Sequence, residues 1–112
     1  MRGLTVRWSL ADAPESVADE LTAYVAESSH DRFTGMGGLS YKTWRMRAGD
    51  WFEGSYVFAS DEARAEFQER FTATAAESPV SHIVGSGPVL IEPCDVVAIA
   101  EGAGGFRASA RG

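Results

Sequence analysis

The chain has 112 residues, a net charge of −6, and 45% hydrophobic against 23% charged residues. That length fits one domain, typically ~100–150 residues, and the composition is globular rather than disordered. A pI near 4.8 argues against a chain built to grip nucleic-acid phosphates and favours a small-molecule or protein partner. The single cysteine, Cys94, cannot close an internal disulfide. No run approaches the ~20 apolar residues of a membrane span, and Met1–Leu4 carries no apolar signal core. A cytoplasmic chain with no membrane partner is therefore expected.

Taken in chain order, Leu4, Val6, Trp8 and Leu10 alternate with Thr5, Arg7 and Ser9, which predicts a half-buried strand. Pro14 suits the first turn of a helix whose apolar stripe is Val17, Leu21, Tyr24 and Val25. His30 follows that helix, and Thr34-Gly35-Met36-Gly37-Gly38 reads as loop.

Two strand-like runs, Leu39–Arg47 and Trp51–Phe58, flank a turn at Ala48-Gly49-Asp50. Pairing Arg47 with Trp51 puts Ser40, Lys42, Trp44, Met46, Phe52, Gly54, Tyr56 and Phe58 on one face. Leu39, Tyr41, Thr43, Arg45, Arg47, Trp51, Glu53, Ser55 and Val57 take the other. A one-residue slip would bury Glu53 and Ser55 among aromatics, so burial selects this register. Gly54 then faces Trp44 and is expected to give the indole room.

Ser60 followed by Asp61 and Glu62 predicts a helix start, with Ala63, Phe67, Phe71 and Ala75 as the buried stripe up to Ser78-Pro79. A last main strand is expected from about His82 to Ile91, interrupted by Glu92-Pro93, with a short further strand over Asp95–Ala100. Residues 101–112 are Gly/Ala-rich and read as a flexible tail behind a domain of residues 1–100. The order strand, helix, strand, strand, helix, strand predicts an α+β fold: a ferredoxin-like βαββαβ domain, a four-stranded antiparallel sheet with two helices on one face. The opposite face, with Leu39, Tyr41, Trp51 and Val57, is expected to be covered by a second subunit.

Gly38-Leu39-x-x-Lys42-x-Trp44, then Gly54-x-Tyr56-x-Phe58, then Asp61-Glu62 resembles the YdhR-like mono-oxygenase family. That family lies in the dimeric α+β barrel superfamily, beside the cofactor-independent antibiotic-biosynthesis mono-oxygenases. The pattern is nearly ungapped from Gly38 to Glu62, and Glu92-Pro93 extends it. It departs at Ser55, where the family has a second glycine, and in the chain beyond Pro93. The resemblance implies a homodimer with one site per subunit between sheet and helices. It also implies oxidation of a small aromatic or polyketide-derived substrate with no cofactor, molecular oxygen serving as co-substrate.

Lys42 is the one charge on the apolar face of the hairpin and can act as base or hold an anion; otherwise its stem snorkels to water. Its register partner Tyr56 can donate to a substrate oxygen, or bond backbone instead. Trp44 and Phe58 are candidate walls, Trp8 and Tyr24 further substrate contacts, and His82 a proton shuttle, against the plainer roles of core aromatics and a surface histidine. His30 and His82 lack HxH or HExxH spacing, so no metal site is expected. Two alternatives keep the fold: a non-oxidative cyclase or isomerase using the same pocket, and a non-catalytic small-ligand-binding dimer.

Overall fold

The computed structural model describes residues 1–109; residues 110–112 of the expected tail lie outside the described residues. The elements are β1 (Arg2–Ser9), α1 (Val17–Tyr24), a π-helical turn (Val25–Ser29), α2 (His30–Phe33), β2 (Leu39–Arg47) and β3 (Trp51–Phe58). They continue with α3 (Asp61–Thr74), a 3-10 turn (Ala75–Glu77), α4 (Pro79–Val84) and β4 (Leu90–Asp95). The strands form one antiparallel sheet in the order β2-β3-β1-β4, the ferredoxin-like arrangement expected from the sequence. The core packs Leu4, Val6 and Trp8 of β1 and Phe52, Tyr56 and Phe58 of β3 against Val17, Leu21, Phe33 and Phe67 of the helical layer.

The β2–β3 register pairs Arg47 with Trp51 and Lys42 with Tyr56, the pairing that burial selects. It breaks at one place. A bulge between Leu39 and Tyr41 sets Leu39, not Ser40, opposite Phe58, and Leu39 packs on the core. The bulge counts two residues of β2 against one of β3, so the strict alternation that put Leu39 on the outer face fails there. Gly38 turns the chain into β2 at φ 83°, and a Cβ on it would stand 2.9 Å from that of Ala63.

Five other expectations are corrected. Pro14 sits in a turn, and the helix begins at Val17. His30 does not follow the helix; it continues it, through the π turn into α2. His82 lies on α4, not on a strand: Ser78 caps that helix by accepting from the Ser81 N–H, Pro79 opens it, and Gly85 at φ 88° ends it. Proline there starts a helix as well as ending one. The last strand is β4, which contains Glu92-Pro93 rather than stopping at it. β4 is an edge strand, where a missing N–H costs no ladder bond. Past β4 the Val96 N–H donates to the Met1 carbonyl, but residues 96–100 form no strand. The described part of the expected tail comes back to the sheet, where Phe106 meets Tyr41 edge to face at 6.4 Å.

The outer sheet face is less apolar than the sequence suggests. Leu39 has left it, and Val57 is buried within the chain; Val96 folds over Gly3, its partner on β1. At the centre, Arg7, Glu53 and Arg45 stand side by side across β1, β3 and β2. Glu53 is only 2% exposed, held by both arginines, and the Arg7 guanidinium lies 4.3 Å over the Trp51 ring. Burial alone would raise the Glu53 carboxyl, but the Arg45 and Arg7 hydrogen bonds outweigh it and hold it below 4.5. Its stabilisation is therefore present above that pH and lost as the pH falls below it. Glu53→Gln is expected to cost about 1–3 kcal/mol near pH 7 by leaving two guanidiniums without their charge partner. In urea titrations the difference from the native chain should shrink as the pH falls below 4.5.

Candidate active site

Lys42 leaves the middle of β2 on the helix side of the sheet. Because β2 is an edge strand, the amine reaches across the face rather than into the centre of the core. Its Nζ donates to the Tyr56 Oη at 3.0 Å. The same nitrogen lies 3.4 Å from the Phe33 ring centroid, 4.2 Å from that of Tyr56 and 4.4 Å from that of Trp44. Among the described residues no carboxylate pairs with it.

Burial first, and the Arg32 guanidinium second, pull the Lys42 pKa down from 10.5 to about 6. Three π faces favour the ammonium over the amine, so both forms are within reach near neutrality. Burial pushes the Tyr56 phenol well above its ordinary 10, with the Arg32 charge opposing, so the phenol stays protonated. Its oxygen accepts from Lys42, leaving its own proton to donate elsewhere.

These groups border a cavity of about 400 Å³ between the sheet and the helices. Trp8, Trp44, Phe52, Gly54 and Tyr56 form the floor. Tyr24, Ser29, Arg32 and Phe33 come from the first helical run, and Phe67, Arg70 and Phe71 from α3. Gly54 is needed here, though for a different ring than its register suggests. A Cβ on it would meet the Tyr56 Cε1 at 3.1 Å and Oη at 3.3 Å, and the three atoms nearest to it all belong to Tyr56. The phenol lies back along its own strand over the missing side chain, which brings its hydroxyl to Lys42.

The π turn sets the opposite wall. The His30 N–H bonds the Val25 carbonyl five residues back, and one extra residue in a turn rotates the chain beyond it by about 100°. Ser29 is buried and accepts from the Trp44 indole N–H at 3.2 Å, while His30 packs its ring 5.8 Å from that indole. A second indole is fixed the same way, Trp8 donating to Ser81 at 3.0 Å.

The structure thus brings Lys42, Tyr56, Trp8, Tyr24 and Trp44 to one cavity. It does not bring Phe58 or His82. Phe58 is buried and stacked beneath Tyr56 at 5.9 Å, one ring removed from the space. His82 is exposed in the last turn of α4, outside the lining, because the segment that carries it is helix and not strand. Sequence reasoning missed Phe33, Ser29, Arg32 and Arg70. The π turn that aims Ser29 has no composition signal, but the eight-residue spacing of Tyr24 and Arg32, whose side chains bond at 3.1 Å, is a helical one.

A second hollow, about 580 Å³, runs along β2 and shares Lys42, Trp44 and Phe52; Phe106–Ser109 borders it. No three His, Cys, Asp or Glu side chains converge among the described residues, and none of the described helices is long and apolar enough to cross a membrane. No protein-family model matches the chain, and no curated protein is similar to it at a significant level.

An amine that gives up its proton on folding destabilises the native state below its unfolded pKa. The unfolded chain holds that proton up to 10.5 and the folded chain releases it near 6, so stability rises with pH across that interval. Lys42→Met should therefore raise the melting temperature on the order of 5 °C at pH 6, the shift that roughly 1 kcal/mol produces in a small domain. The gain should shrink steadily towards pH 10. Paired melting curves across that range check it, and a gain independent of pH would mean an amine that stays charged in the fold.

Proposed function

We propose that this protein is a cofactor-independent mono-oxygenase acting on a small, electron-rich aromatic or polyketide-derived substrate. The observation that carries the reading is the Lys42 amine, hydrogen-bonded to Tyr56 inside an aromatic cavity. An amine with a pKa of about 6 is mostly free base at pH 7 and can take a proton from a phenol or from a methylene between aromatic rings.

The substrate then supplies the electrons. Its carbanion passes one electron to oxygen, and the radical pair combines to a peroxide on the same carbon. The peroxide takes up one proton, the remaining C–H proton leaves, the O–O bond breaks, and water departs as the carbonyl forms. The balance is one methylene and one O2 to one carbonyl and one water. Lys42 accepts the first proton and returns it to the peroxide; Tyr56 donates to the oxyanion; Trp44 and Trp8 wall a flat ring.

The homodimer implied by the resemblance belongs to the same proposal, with Trp51 and Tyr41 as the rings available on the outer face. A base in a shaped pocket also suits a cyclase or isomerase, and oxygen dependence separates the two.

Oxygen uptake with anthrone-type and phenolic substrates is the test. Turnover should stop without oxygen, and kcat/KM should climb about tenfold per pH unit below about 6 and level off above it. Lys42→Ala should lose roughly 10²-fold or more and Tyr56→Phe at least ~10-fold. His82→Ala should keep the full rate. Product formed equally well under nitrogen would replace oxidation by the non-oxidative chemistry.

A further inference from the structure

The chain carries 16 acidic residues against 10 basic ones, yet the cavity reverses that sign. Among the described residues its lining holds Lys42, Arg32 and Arg70, with Glu77 the one carboxylate. Apart from Arg107, which borders the second hollow, the described arginines divide in the same way. Arg2, Arg7, Arg45, Arg47 and Arg64 each have a carboxylate partner, and all of them stand outside this cavity. Arg32 and Arg70, which line it, have none among the described residues. Arg32 instead donates to the Tyr24 hydroxyl, itself a lining group, and extends over the Phe33 ring with its guanidinium carbon 5.1 Å from the centroid. Arg70 extends from the opposite helical wall, 5.9 Å from the Phe67 ring.

The Arg32 guanidinium, without a carboxylate, backed by the Phe33 ring and bonded to a tyrosine hydroxyl, keeps donors free in the planar fork that suits a carboxylate. Arg70, also without a carboxylate and set beside the Phe67 ring, adds a second cation at the cavity, and in an acidic protein the two concentrate an anion there.

We propose that the cavity selects an aromatic carboxylate: Arg32, braced by Tyr24, and Arg70 hold the acid group while its ring system lies among Phe33, Trp44 and Tyr56. This deepens the proposed reading and rests on the same cavity. It divides the cationic groups by task, the arginines for the acid group and Lys42 for the proton. Tyr24, on this account, is a positioning residue for Arg32.

The test is equilibrium binding, read by quenching of tryptophan fluorescence, with 2-naphthoate and its methyl ester as matched probes. The acid should bind at least ~10-fold more tightly than the ester, the scale of one charge-assisted hydrogen bond, and the preference should fall as salt rises. Arg32→Gln and Arg70→Gln should each reduce the preference without altering ester binding, whereas Arg47→Gln, which removes an equal charge far from the cavity, should leave it intact. Melting curves confirm that each variant is folded. Equal binding of the two probes, binding of neither, or a preference lost as readily in Arg47→Gln would overturn the assignment. So would a preference that survives both cavity variants and disappears only in Lys42→Met.

Because no turnover is read, the two proposals fail separately. An acid preference without oxygen uptake leaves the arginine site and removes the oxygenase. Oxygen uptake with neutral phenols and no preference for acids does the reverse.

Discussion

The site depends on a single constraint: an amine and a phenol on neighbouring strands are held within hydrogen-bond distance on the side of the sheet that the helices cover. Register does half of this, since Lys42 and Tyr56 are directly paired. Gly54 does the other half by leaving the space into which the phenol leans. Without that gap Tyr56 would stand up from the sheet towards α3. Its ring already packs 4.9 Å from Phe67, so there is little room there to receive it. The position of the hydroxyl thus depends on a residue two places away that has no side chain of its own.

Alternation along the hairpin then keeps two electrostatic problems apart. On the outer face a buried carboxylate is neutralised twice over, by Arg7 and Arg45. On the inner face a half-buried amine has rings and a phenol as neighbours but no carboxylate. The first arrangement suppresses titration in the neutral range and the second brings titration into it. One residue of slip would exchange Glu53 with a neighbour facing the rings and place a carboxylate beside the amine, which would then be held charged.

Much of this is legible in the sequence because period-two alternation is a strong signal over long strands. The two faces of Lys42–Phe58 follow from it, the cap at Ser60 follows from residue type, and the antiparallel sheet follows from the order of elements. The misreadings have local causes. Leu39 is displaced by a bulge that no residue type announces. The segment from Pro79 to Val84 is apolar and short, so periodicity cannot separate strand from helix, and only the Ser-Pro start and the glycine after it decide. Phe58 and Tyr56 share a face, but stacking places one beneath the other, and alternation has no depth coordinate. Arg32 and Arg70 are far apart in the chain on separate helices, and nothing in either helix alone indicates that both border one cavity.

The first helical run shows how a small irregularity reaches the chemistry. An unbroken α-helix from Val17 to Phe33 would present its apolar stripe to the sheet and carry its polar residues away from it. The π turn inserts one residue, and beyond it the facing side changes character: Ser29 turns inward to the Trp44 indole, Phe33 to the Lys42 amine, and Arg32 back towards Tyr24. Before the turn the helix contributes packing through Val17 and Leu21; after it, the helix contributes hydrogen-bond acceptors, a π face and a positive charge. The positive charge matters twice, because the guanidinium that adds to burial in holding the lysine pKa down also has no carboxylate partner among the described residues. A bound anion that neutralised Arg32 would weaken that repulsion and make Lys42 a stronger base only when the cavity is filled. On the proposed reading, substrate charge and the proton affinity of Lys42 would be linked through one side chain that follows the π turn in the helix.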